Sequence, residues 1–113
     1  MDAAVESTIL DLAAKDKPSA LLRLAVEIEK EMVSLVRAHR IELRRSATWL
    51  ELVNGLTQSK VLDPQLAKAL IEFGDIRNQV IHSVIGGPVQ ESQLSRALDN
   101  GLQLLRLLKA TVK

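Results

Sequence analysis

Apolar residues recur along most of the chain at spacings of three and four positions, the period of an α-helix that buries one face. No segment alternates apolar and polar residues long enough to indicate a β-strand. The pattern therefore predicts an all-α fold. We expect five helices, at about residues 3–14, 19–43, 46–56, 64–83 and 90–111.

Proline and glycine mark the ends and the interiors of these helices. Pro18, Pro64 and Pro88 stand where helices are expected to begin, and proline is tolerated there because the N–H groups of a first turn lack partners. Gly74 and Gly101 fall inside the fourth and fifth helices, where glycine costs about 1 kcal/mol relative to alanine. We expect Gly74 to mark a kink or a close helix contact, and Gly101 to let another helix approach.

The second helix carries two apolar strips rather than one. Its main strip consists of Leu21, Ala25, Ile28, Met32, Leu35, His39 and Leu43. The second strip, about a third of a turn away, consists of Leu22, Val26 and Val33. A helix with two apolar faces packs either on two neighbouring helices or on a core and a partner subunit. Because His39 lies on the main strip, we expect it to be a hydrogen-bonded core histidine.

The composition is typical of a soluble globular domain and disfavours several kinds of site. The 113 residues suffice for one domain, and 47% are apolar and 26% charged. Trp49 and Phe73 are the only aromatic residues, which disfavours a base-stacking platform for single strands. The net charge of +1 gives no overall attraction to RNA, so RNA contact requires a local patch. The absence of cysteine excludes disulfides and disfavours zinc, and we expect no metal or cofactor.

We expect residues 1–113 to form a single domain, with residues 1–17 as a short helix packed on the rest. The first residues lack the basic start and long apolar run of a signal peptide. No apolar stretch reaches the roughly 18 residues of a membrane-spanning helix. The expected location is therefore the cytoplasm, with no membrane contact. A larger parent protein with further domains remains open.

The fourth helix has a charged residue where its apolar strip should continue. The strip consists of Leu66, Leu70, Phe73, Val80 and Val84. Arg77 stands midway in the longest gap of this strip. Arginine is rarely buried without a partner, and an unpaired buried charge costs several kcal/mol. Arg77 therefore pairs with an acid, for which Glu27 and Glu31 are the candidates, or faces a cleft, or lies at a subunit interface.

His82 follows Arg77 by five residues, or about 140° around a helix. It shares a polar edge with Asp75 and Asn78. An undistorted helix does not aim the Arg77 and His82 side chains at one point. The long arginine side chain shortens the distance between the two functional groups. A two-fold dimer in which both copies of this helix face each other would shorten it as well. A charge in a cleft is also a common mark of a functional site.

Two stretches of the chain resemble HEPN domains. Residues 76–82, IRNQVIH, resemble the R-polar-x-x-x-H signature of that family, and residues 22–27, LRLAVE, resemble part of its long early helix. The order and length of the later segments are similar, so the resemblance covers about residues 20–108. It implies an up-and-down bundle of four or five helices that forms a homodimer. The dimer would bring two copies of the motif into one composite cleft.

The resemblance also implies a metal-independent endoribonuclease, the activity of many family members. His82 would act as general acid or base at the RNA 2′-hydroxyl or at the leaving oxygen. Arg77 would stabilise charge on the five-coordinate phosphate, and Asn78 would orient the phosphate or His82. Toxin members paired with nucleotidyltransferase antitoxins carry a tyrosine where this chain has Val84. The chain therefore departs from that toxin group.

Three functional hypotheses remain open. In the first, the chain is a dimeric HEPN ribonuclease, alone or as the effector domain of a larger RNA-targeting or defence protein. In the second, it is an inactive HEPN module for dimerisation or for binding RNA or protein. In the third, it is a helical adaptor whose Arg77 serves only in an ion pair. The near-neutral charge and few aromatic residues favour the second and third, and the motif favours the first.

A basic run near the end of the second helix is a further candidate contact with RNA. It consists of Arg37, Arg40, Arg44 and Arg45. These side chains either follow the RNA backbone or are solvated at a helix end, where they complement the helix dipole. We favour the solvated helix end. Glu27, Glu29 and Glu31 alternate along the same helix and point apart, so we expect no metal site there.

Overall fold

The computed structural model describes residues 2–83 and 89–113 of the protein. These residues form five helices, α1 (Asp2–Lys15), α2 (Lys17–Ala38), α3 (Trp49–Gln58), α4 (Pro64–Ile81) and α5 (Glu91–Ala110). The described ranges contain no strand, so the predicted all-α helical bundle is confirmed. None of the helices in these ranges is both long and apolar enough to cross a lipid bilayer. Val84 and Pro88 lie outside the described residues.

Aspartate side chains cap the starts of two helices. The Asp16 carboxylate accepts a hydrogen bond from the Ser19 N–H at 3.1 Å, and the Asp63 carboxylate accepts one from the Leu66 N–H at 2.8 Å. Each cap satisfies a backbone donor that has no partner within the helix. A proline follows directly in the first turn of each helix. The prolines predicted the start of α4 at Pro64 and the start of α2 to within two residues.

α3 begins three residues later than position 46, where it was predicted to begin, because its N-cap is Thr48. The Thr48 hydroxyl accepts a hydrogen bond from the Glu51 N–H at 3.2 Å. The Glu51 carboxylate accepts one in return from the Thr48 N–H at 3.0 Å. This reciprocal capping box satisfies two orphan donors and starts the helix at Trp49.

α2 ends at Ala38, earlier than the apolar pattern predicted. Arg40 has a φ of 53°, and the Ile41 N–H donates to the Val36 carbonyl at 3.0 Å. This is the Schellman arrangement, in which a left-handed residue lets the chain turn back and satisfy the last carbonyls of the helix. Leu43 extended the predicted strip because it is apolar, but it packs from the following loop against α3.

Aliphatic side chains from all five helices meet in one core. Those that are almost fully buried are Ile9, Leu21, Leu24, Ile28, Met32, Leu35, Val53, Leu56, Leu70, Leu105 and Leu108. Gly101 allows α5 to approach closely, as predicted. A Cβ atom at Gly101 would lie 2.5 Å from Phe73 Cε1 and 2.6 Å from Leu24 Cδ2. The absence of a side chain at this position therefore determines how closely α5 packs on α2 and α4.

α2 and α5 run parallel, as polar contacts at both ends show. Lys17 and Glu91, at the starts of the two helices, form an ion pair at 2.6 Å. Just beyond their ends, His39 Nε2–H donates to the Val112 carbonyl at 2.8 Å. His39 is therefore hydrogen-bonded, but the prediction that it lies in the core is wrong, because α2 ends before it and leaves it exposed.

Candidate functional site around Arg77

Arg77 rests on an aromatic ring at the edge of the core. Its guanidinium carbon lies 4.9 Å from the centroid of the Trp49 ring, within the range of a cation–π contact. The arginine side chain keeps 21% of its surface exposed. It therefore fills the gap in the apolar strip of α4 with its stem while its charged end reaches the surface.

The Trp49 ring is itself held in place by α4. Its Nε1–H donates to the Leu70 carbonyl at 2.9 Å, and its ring stacks on Phe73 with centroids 6.0 Å apart. A Cβ at Gly74 would lie 2.7 Å from Trp49 Nε1, so only glycine makes room for the ring. The close contact predicted at Gly74 is thus with a side chain from the start of α3. Trp49 is a rigid support for the arginine.

Two polar groups contact the Arg77 guanidinium. Its Nε–H donates to Asn78 Oδ1 at 3.2 Å. Its Nη1 lies 3.7 Å from Glu29 Oε1, which is longer than a hydrogen bond. The Glu29 side chain is about half exposed, so solvent weakens this pair. The acid beside Arg77 is therefore loosely attached, and an edge of the guanidinium remains available.

The acids predicted to pair with Arg77 have other partners, so that prediction is wrong. Glu27 lies 3.5 Å from Arg23 and 3.4 Å from Lys30, both on α2. Glu31 lies 3.1 Å from Lys113, beyond the end of α5. Glu27 and Glu31 lie one turn apart on the same side of α2, and both pair there with other cations. Glu29, which the sequence suggested only as part of an improbable metal cluster, lies about 200° around α2 from each of them and contacts Arg77 from the other side of the helix.

An open groove of about 810 Å³ lies beside Arg77, between α2 and the end of α4. Its apolar lining comes from Leu22, Ala25, Val26, Val33 and Ile81. Its polar lining comes from Glu29, Lys30, Ser34, Arg37 and Arg77. The groove thus contains the whole second strip of α2. In the described structure, no helix of this chain covers that strip.

His82 lies just outside α4, and no hydrogen bond joins it to Arg77 within the described part of one chain. It is the C-cap residue, and its backbone N–H donates to the Asn78 carbonyl at 3.0 Å. Its side chain is exposed, and no hydrogen bond joins its imidazole to the described residues. The structure therefore brings Arg77 and Asn78 together and leaves His82 at the adjacent surface, free to meet another molecule.

The basic run divides into separate environments. Arg37 is its one member that lines the groove, and Arg40 takes the left-handed position after α2. Arg44 forms an ion pair with Glu51 at 2.7 Å. Hydrogen bonds from Arg44 and then from the Thr48 backbone lower the pKa of Glu51 to about 2. Arg45 is exposed in the same loop.

The described residues contain no group of three or more histidine and acidic side chains placed to hold a metal ion. No protein-family model, curated protein or solved structure matches this chain. The resemblance to HEPN domains therefore remains a prediction carried by the motif and its setting. Trp49 and Glu29 are the two residues of the site that sequence reasoning missed. Gly74, three residues before Arg77, was the available signal that a large side chain packs there.

Proposed function

We propose that this chain is a metal-independent endoribonuclease of the HEPN type, with a composite active site at a homodimer interface. The observation that carries the proposal is the state of Arg77. Its guanidinium is preorganised by Trp49 and Asn78, yet its acid partner is distant and exposed. A cation held in this way at a groove suits an incoming anion better than it suits a structural ion pair.

Arg77 would bind the phosphate at the scissile bond. The planar guanidinium can donate two parallel hydrogen bonds to phosphate oxygens. Because Trp49 supports one face of it, little reorganisation is needed when negative charge grows on the five-coordinate phosphorus. Asn78 holds the Nε side of the group and so leaves the terminal nitrogens for the substrate.

His82 would transfer the protons. One imidazole takes the proton of the RNA 2′-hydroxyl, whose oxygen attacks the adjacent phosphorus and forms a 2′,3′-cyclic phosphate. The second imidazole, the partner's His82, gives a proton to the departing 5′-oxygen. Histidine is the side chain that most often serves as general acid or base in enzymes, which suits both roles. The dimer supplies the pair of imidazoles that one chain does not assemble.

A second candidate is an inactive HEPN module whose task is to dimerise or to bind RNA or protein. The apolar lining of the groove favours it, because an aliphatic surface suits a protein partner better than a nucleic-acid backbone. We also propose that the protein acts in the cytoplasm, as an RNA-targeting or defence effector or as one domain of such a protein.

Cleavage of a labelled RNA in EDTA tests the two candidates. The protein offers a matched pair of variants, because His82 and His39 are its two histidines and both are exposed. We expect cleavage by the wild type and by His39→Ala, and none by a folded His82→Ala. Equal loss in both variants would contradict the role of His82. A folded wild-type dimer that leaves RNA intact would support the inactive module.

A further inference from the structure

The second strip of α2 is an apolar surface that the described chain leaves uncovered. Val26 keeps 49% of its surface exposed, and Ile81 across the groove keeps 52%. Leu22 and Val33 are half-buried beside them. A helix with two apolar faces requires a second neighbour, and the described residues supply none on this face. We therefore expect the second neighbour of α2 to come from another molecule.

Two opposite charges extend this strip. Positions 22, 26, 29, 33 and 37 follow one another at steps of four, three, four and four residues, which keeps them on one side of a helix. Glu29 and Arg37 thus lie on the same side, four residues before and four residues after Val33. Arg37 forms no ion pair with the described residues, and Glu29 has only its loose contact with Arg77.

We propose that a second copy of this chain covers the strip, with its α2 antiparallel to the first and a two-fold axis near Val33. A two-fold interface is self-complementary, so a contact from residue i to residue j occurs twice. In this arrangement Glu29 meets the partner's Arg37, and Arg37 meets the partner's Glu29. Val33 is covered at the axis, and Val26 lies opposite position 40 of the second copy, just beyond the end of that copy's α2 at Ala38.

The charge pattern selects this occupant and this direction. Opposite charges at equal distances from Val33 pair with their own copy when the second helix is reversed. A parallel pair of helices would instead place Glu29 against the partner's Glu29 and Arg37 against the partner's Arg37, and like charges repel across an interface. An unrelated partner would need a matching charge pair of its own, whereas a second copy already has one.

This interface deepens the proposed function, and its expected effect on cleavage rests on that function. Since Glu29 is the acid beside Arg77, the partner's Arg37 competes with Arg77 for it. Assembly therefore loosens the carboxylate from the guanidinium and adds a second cation near the place where phosphate binds. The monomer leaves Glu29 loosely beside Arg77, and the dimer draws this carboxylate away, so that more of the guanidinium is open to phosphate. Cleavage per protomer is then expected to follow the dimer fraction.

Charge reversal tests the reciprocal pairs by sedimentation across a concentration series, without RNA. We expect Glu29→Arg and Arg37→Glu each to raise the dimer dissociation constant by about tenfold or more, because each replaces two attractive pairs with repulsive ones. The double variant should recover most of the wild-type affinity. Lys68→Glu, an exposed reversal on α4, is the control and should leave the dissociation constant unchanged.

A second pair of variants tests the apolar part of the interface, the second strip of α2. Val33→Asp should dissociate the dimer, because it places two aspartates against each other at the axis, whereas Val61→Asp, at a half-buried valine outside the strip, should not. Circular dichroism confirms that each variant folds. A wild type that stays monomeric at about 100 µM, a concentration that would populate micromolar dimers, would overturn the inference. Equal dissociation by both aspartates, or no recovery in the double charge variant, would also overturn it.

The outcome for the interface is separable from the outcome for the ribonuclease. A wild-type dimer with these variant effects supports the interface even when it leaves RNA intact, and the ribonuclease proposal then fails alone. Cleavage by a protein that stays monomeric overturns the interface and leaves the ribonuclease proposal standing without its composite site.

Discussion

The guanidinium carbon of Arg77 lies 4.9 Å from the centre of the Trp49 ring, so the cation packs on an aromatic face rather than among aliphatic side chains. Trp49 reaches this position from the start of α3 because Gly74 offers it no Cβ to meet. The contact explains how α4 tolerates a charge in its apolar strip. The arginine stem adds to the packing, and the charge stays close to water.

We predict that Arg77→Met leaves the free energy of unfolding within about 1 kcal/mol of the wild type. Methionine fills a similar volume, makes favourable sulfur contacts with an aromatic ring, and removes a partly desolvated charge. Urea unfolding measures the change, with Lys68→Met on the exposed side of α4 as the matched control. The same variant should lose RNA cleavage. A loss of more than about 2 kcal/mol would show that Arg77 is chiefly structural.

We predict that Gly101→Ala lowers the free energy of unfolding by about 1–3 kcal/mol, the usual cost of overpacking a core. The new methyl group would meet Phe73 and Leu24 at distances that real Cβ atoms do not tolerate. Gly55→Ala is the matched control, because its nearest neighbour is the tip of Leu43 at 3.1 Å. That variant should be neutral or more stable by up to about 1 kcal/mol, since alanine favours a helix. Equal urea midpoints for both variants would refute the close packing at Gly101.

Most of the fold could be predicted because its signals are local. Helical periodicity predicts where the helices lie. The starts of α2 and α4 are also fixed locally, by hydrogen bonds from backbone N–H groups to Asp16 and Asp63 three residues earlier. The end of α2 could not be predicted in the same way. Arg40 adopts a left-handed conformation that no residue preference marks, and Leu43 continues the apolar period although it belongs to the loop.

The site could be predicted in part, because Arg77 interrupts a pattern that one helix displays by itself. Its acid could not be chosen between Glu27 and Glu31, and neither is correct, because the side of α2 that faces Arg77 depends on how α2 and α4 cross. The apolar patterns of two separate helices do not specify the angle at which the helices cross. Trp49 could not be predicted as part of the site, since its approach to α4 is a tertiary contact over more than twenty positions.

We predict a pH-dependent contribution of Glu51 to stability. Its carboxylate bonds Arg44 and the Thr48 backbone, which lowers its pKa from an ordinary value of 4.5 to about 2 in the folded protein. A lowered pKa stabilises the fold above pH 4.5 and loses that contribution as the pH falls toward 2. The stability difference between wild type and Glu51→Gln should therefore be constant near neutral pH and shrink between pH 4.5 and 2.

Urea midpoints measured over that pH range test the effect of Glu51. Glu42→Gln is the control, because Glu42 is exposed in the same loop and forms no ion pair with the described residues. A difference between wild type and Glu51→Gln that stays unchanged down to pH 2 would contradict the capping and ion-pair contacts of this carboxylate.

We predict that Asn78→Asp keeps the fold and weakens RNA cleavage by about tenfold or more. The amide oxygen of Asn78 accepts a hydrogen bond from Arg77 Nε at 3.2 Å, and a carboxylate there would hold the guanidinium more strongly. It would also place a negative charge beside the position where Arg77 binds phosphate. Because the helix and its packing are unchanged, urea unfolding should stay within about 0.5 kcal/mol.

The matched control for that change is Gln79→Glu, which adds the same charge one residue further along the exposed surface of α4. Gln79 has no hydrogen bond to Arg77 among the described residues. If general repulsion of RNA were the cause, both variants would lose cleavage equally. A loss confined to Asn78→Asp, with equal stability in the two variants, would instead tie the effect to the charge that meets the Arg77 guanidinium.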